Sequence, residues 1–144
     1  MEAFYPLALI IHIFCAIIFV GYLFFDVVIF SKVKKSLSKD CNDIENSISK
    51  KAIKIMPICV FLLLFSGGFM MSRWVNSDLG YFNELYQKVF MIKVICACLI
   101  FLAVIFSLFC KFMKIKNPIS SIIHPLALIL ATIIVICAKL MFYV

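Results

Sequence analysis

The chain has 144 residues, 66% of them apolar and 15% charged, with a formal net charge of +7. That length suits one domain, and so apolar a balance excludes water as its main solvent. The lysines cluster beside apolar runs, so the positive charge points to anionic headgroups and away from nucleic acid.

Four apolar segments reach the roughly 20 residues that a helix needs to cross the hydrocarbon core. They run approximately over residues 6–30, 55–74, 89–112 and 118–143. Lipid offers backbone groups no hydrogen-bond partner, so spans of this kind are helices or a closed barrel, and unbroken apolar runs exclude the alternation of a barrel. The expected fold is therefore all-α, a four-transmembrane-helix bundle forming a single integral membrane domain over residues 1–144. The first segment lacks the positive flank and small-residue cleavage site of a secretory signal, and is expected to stay as an anchor.

Between the first two spans lie Lys32, Lys34, Lys35, Lys39, Lys50, Lys51 and Lys54, and between the last two lie Lys111, Lys114 and Lys116. Both are positive-inside loops. The middle connection holds Asp78 and Glu84 with little positive charge, and the N-terminus offers Glu2. Both termini are thus expected on the outer, periplasmic side. Asp40, Asn42 and Asp43 are candidate caps for a second helix that starts well before its apolar run, since Ile44, Ile48 and Ala52 recur at helical spacing. Gly67 and Gly68, late in that span, predict close helix packing or a kink, with close packing favoured. The seven cysteines are Cys15, Cys41, Cys59, Cys96, Cys98, Cys110 and Cys137. Most lie inside apolar runs rather than polar loops, which reads as reduced thiols.

Polar residues are costly inside a membrane and are by default candidates for function. By helical rise they fall into two layers. The outer one holds His12, Arg73, Lys93 and Lys139, and the inner one Asp26 and His124. His12, Cys15, Phe19 and Asp26 share one stripe of the first helix. Cys59, Ser66, Met70 and Arg73 share one on the second, as do Lys93, Cys96 and Ser107 on the third. His12, Cys15, Met70, Cys96 and Cys137 lie at similar expected depth, and imidazole, thiolate and thioether are ligands for Cu(I) or haem iron. Arg73 and Lys93 would then pair with haem propionates, and Met70, Met71, Met91, Lys93, a cysteine or solvent would stand opposite His12. The competing reading makes the cysteines and methionines adaptable apolar filler beside snorkelling lysines. Cys96 and Cys98 point about 200° apart and cannot chelate together. The histidines differ in depth by about 10 Å and cannot share one iron. Asp26 and His124 are expected to meet across the bundle as an inner polar pair, with proton relay the alternative role.

His12, followed seven positions later by Phe19 and then by Gly21, Phe24 and Phe25, resembles the first helix of the copper-resistance protein D family. There the pattern is His followed by Trp-x-Gly, and Phe19 stands in the tryptophan's place. Residues 86–98, YQKVFMIKVICAC, are similar to that family's third helix, with its embedded lysine at Lys93. The same two places resemble the HemJ-type protoporphyrinogen oxidases, which bind haem b. That family's Arg-Leu-Phe-x-x-His element has no counterpart in DVVIFS at residues 26–31. The first resemblance implies a multi-pass protein of the bacterial inner membrane that handles copper, with His12 as ligand and no reaction of its own. The second implies a haem b oxidoreductase. Without either cofactor, the chain reads as a structural subunit whose apolar surfaces meet lipid, another membrane protein or a second copy.

Overall fold

The computed structural model describes residues 4–36, 41–73, 75, 82–113 and 120–143. Among these, every regular element is helical. Helix α1 covers Tyr5–Phe24, with Pro6 in its first turn, where a missing N–H costs nothing. It runs on through a wider π-helical turn, Phe25–Phe30, into α2, Ser31–Ser36. Ser31 donates back to the carbonyl of Val27 inside that turn, satisfying a group that the altered ladder leaves open.

Helix α3 covers Cys41–Met71, so the second helix begins well before its apolar run, as the spacing of Ile44, Ile48 and Ala52 predicts. Asp43 lies in its first turn, where a carboxylate complements the helix dipole. Asp40 and Trp74 lie outside the described residues. Pro57 lies inside α3, and neighbouring helices in lipid make such an interruption tolerable. Helix α4 covers Leu85–Phe112 and α5 covers Ser120–Leu140, with Pro125 near its start. The side-chain oxygen of Gln87 accepts the N–H groups of Asn83 and Glu84 and is wholly buried, which fixes where α4 begins.

The four long helices, Tyr5–Lys34, Asp43–Met71, Leu85–Phe112 and Ile122–Leu140, are each long and apolar enough to cross a membrane. Helix α1 packs chiefly on α3, and α4 on α5. Contacts of α1 with α5 and of α3 with α4 close the ring. Helices consecutive in the chain are therefore neighbours in space, the up-and-down arrangement of a four-helix bundle. Its centre is a layer of Phe19, Leu23, Val60, Ile100, Ala127 and Ala131. The two alanines, four residues apart on α5, let the neighbouring backbones approach. A second cluster of Val75, Phe90 and Met141 ties the start of α4 to the end of α5. Only 17–22% of each apolar window is buried within the bundle, so most of this greasy surface faces outward. In water such a surface would aggregate, whereas in a bilayer it is the ordinary lipid-facing side.

Candidate functional site

In the half of the bundle where α1 begins, α1 and α3 hold His12 between them. Its Nδ1 lies 2.8 Å from the Ser66 hydroxyl, which is itself 2.6 Å from the carbonyl of Leu62. A serine has one proton to give, and here it goes back to that carbonyl. With that proton committed, Ser66 accepts from His12 Nδ1, and the Leu63 backbone is a second hydrogen-bond partner of the ring. The ring fits against α3 because residue 67 is glycine. A Cβ there would stand 3.2 Å from His12 Cε1, closer than ordinary contact. At Gly68 a Cβ would meet nothing. Ser66 was visible in the sequence only as a member of a stripe, not as the group that orients the imidazole.

One turn deeper, the buried thiols of Cys15 and Cys59 are neighbours across the same interface. Cys96 is buried and Cys98 exposed, as their angular separation requires, while Cys137 and Met70 are half-buried. The five soft side chains expected at one depth do not gather at one point. Among the described residues, no three His, Cys, Asp or Glu side chains converge as a metal site would need.

The cationic groups also diverge. Lys93 places its ammonium 4.7 Å from the Phe90 ring centre and 3.9 Å from the Met141 sulfur, near enough for its charge to reach His12 and Cys137. Arg73 instead stacks 4.6 Å over the Tyr5 ring. Met91 packs beside the Val75, Phe90 and Met141 cluster. Beside His12 lies a cavity of about 120 Å³ whose other walls, including Phe19, Val60, Ile100 and Ala131, are apolar. A space of this size and character stays dry and takes only a small guest. It is well below the volume of a cofactor pocket. Arg73 and Lys93 thus turn to different rings, Tyr5 and Phe90.

No protein-family model, curated protein or solved structure matches this chain.

The opposite half of the bundle brings Asp26 and His124 together. His124 Nδ1 is hydrogen-bonded to the Asp26 carboxylate, pairing α5 with the π-helical turn. Tyr22, one turn before Asp26, meets the His124 ring edge-on at 6.2 Å between centroids. A second cavity, of about 100 Å³, opens beside His124. Phe19 lines both cavities, so its ring separates the level of His12 from that of His124. The carboxylate holds one nitrogen of His124 and leaves Nε2 without a described partner.

Proposed function

We propose that this chain is a multi-pass protein of the bacterial inner membrane that handles copper in the manner its resemblance to the copper-resistance protein D family implies. Its outer-half ligand is His12, and both termini lie on the periplasmic side. The observation that carries this reading is the fixed imidazole. Ser66 holds Nδ1 within a helix apolar enough to cross a membrane, and the ring borders a mainly apolar cavity. Cu(I) accepts few and soft ligands, so one imidazole with a thiol from Cys15 or Cys59 is chemically sufficient without a third residue. A cavity of about 120 Å³ is far smaller than a porphyrin, which favours copper over haem b.

A second reading, a structural subunit without cofactor, draws support from the absence of any three converging ligands among the described residues. Purified full-length protein separates the two. Loaded with Cu(I), it should retain about one copper per chain without a Soret band, and His12→Gln should lose that copper while still inserting and purifying. An amide is a poor donor to a soft metal. His124→Gln should keep the copper. Full copper retention by His12→Gln, or none in the unmodified chain, would leave the structural reading.

A further inference from the structure

The inner cavity has a chemistry of its own. Its walls come from all four spans and are mainly apolar, yet they carry Lys111, Ser49, Ser107, Tyr22 and His124 and no carboxylate. Asp26 is not among the lining residues, but its carboxylate is hydrogen-bonded to His124 and its charge reaches Tyr22, so that side of the space carries a negative charge. The Lys111 ammonium sits 3.3 Å from the Ser49 hydroxyl and has no acidic partner among the described residues. The hydroxyls of Ser107 and Tyr22 make no hydrogen bond to any described residue, and neither does His124 Nε2. These groups are half-buried or exposed, so they are within reach of a ligand that enters from the open side of the space.

Around the space stand one cation, Lys111, and three hydroxyls, of Ser49, Ser107 and Tyr22; His124 gives its Nδ1 to Asp26 and is not counted among the donors. Hydroxyls and an ammonium converging with no carboxylate in the lining are complementary to an oxyanion. The cavity opens at the end of the bundle where α3 carries Lys50, Lys51 and Lys54, a level rich in positive charge. Its mostly apolar walls do not suit free phosphate, which would lose its hydration against Met56, Val104 and Ala127. An oxyanion tethered to hydrocarbon that stays in the lipid meets the polar groups without entering those walls. We infer that the mouth of the inner cavity binds the phosphodiester group of an anionic phospholipid, with Lys111 as the charge partner and Ser49 and Ser107 as donors, while the acyl chains, too large for a space of about 100 Å³, stay in the surrounding lipid. The site is independent of His12 and of any metal, because Phe19 stands between the two cavities.

The full-length chain in a neutral detergent provides the test. Phosphatidylglycerol added to the micelles should raise the thermal unfolding midpoint, while phosphatidylcholine and inorganic phosphate should not. Lys111→Gln should weaken phosphatidylglycerol binding about tenfold, the loss expected for one charge-assisted contact. Lys51→Gln, on the same end but outside the cavity, should leave it unchanged. If Lys111→Gln does not fold, Ser107→Ala read by native mass spectrometry carries the same test, with retention of fewer phosphatidylglycerol molecules expected. Equal losses in Lys111→Gln and Lys51→Gln would reduce the effect to general surface charge and overturn the site. An equal response to inorganic phosphate would overturn the lipid as occupant, and no response to phosphatidylglycerol would overturn both.

Discussion

At Gly67 a single hydrogen in place of a side chain decides whether His12 can reach Ser66. A Cβ at that position would press on the imidazole at 3.2 Å from Cε1, and the ring is held by Ser66 on the next residue of α3. Gly67→Ala should therefore part α1 from α3 locally, lowering thermal stability and weakening copper binding together. Gly68→Ala is the control. Space is open there, and alanine removes the conformational cost of glycine inside a helix, about 0.5–1 kcal/mol in soluble hosts. Its unfolding midpoint should stay the same or rise. Equal behaviour of the two variants in a thermal melt would show that the Gly67 contact does not matter. The Gly-Gly pair was legible in the sequence as a place of close approach. Which glycine faces the partner was not, because that depends on the rotation of α3 about its axis, and an apolar helix in lipid gives little patterning from which to read it. The same ambiguity hid Ser66. Its depth and stripe were readable, but a serine inside a helix ordinarily bonds its own backbone, and here it does so while also receiving the histidine.

The first helix shows how an element can position a residue without any sequence signal. Asp26 lies in the π-helical turn between α1 and α2, and that turn packs against α5, where His124 waits. The residues FDVVIF carry no glycine or proline to announce a wider turn, and their hydrophobicity is continuous with what precedes them, so periodicity could not distinguish π from α. The meeting of Asp26 and His124 was nonetheless legible, because two ionisable side chains at one depth of a membrane have few other partners. Replacing Asp26 with Asn keeps the shape and one acceptor oxygen while removing the charge. Polar contacts inside membrane bundles average well under 2 kcal/mol, so Asp26→Asn should cost about 1 kcal/mol. Reversible unfolding in mixed micelles would measure it. A loss of about 3 kcal/mol or more would mean that His124 is left as an uncompensated buried charge, as when one member of a buried ion pair is removed. No loss at all would mean that the pair contributes nothing to holding α5 against the turn.

For the whole molecule, four membrane-crossing helices could be read from length and hydropathy because lipid imposes a coarse rule that any sequence must satisfy. The outer ligand set was a finer matter. Similar depth put His12, Cys15, Met70, Cys96 and Cys137 in one layer, but convergence also requires every helix to turn the right face inward, and among the described residues Cys15 meets Cys59 and His12 meets Ser66 while no three potential ligands converge. Sidedness follows a separate rule, charge across the membrane. Lysines gather between the first two spans and between the last two, while the connection leading into α4 carries Glu84 and only Lys88. Lys39 and Lys114 lie outside the described residues, but the helices they adjoin end on the same side as Lys34 and Lys111, because consecutive spans in an up-and-down bundle alternate direction. Reporter fusions at Lys39 and Lys114 should thus score as cytoplasmic, and one at Asn83 as periplasmic. The same experiment sets the direction of both sites, since His12 lies toward the Asn83 side and the Lys111 cavity toward the other. The reverse pattern would open the His12 cavity to the cytoplasm, where copper would have to be delivered from within, and would place the inner cavity in the opposite leaflet. The lipid would then have to be sought there.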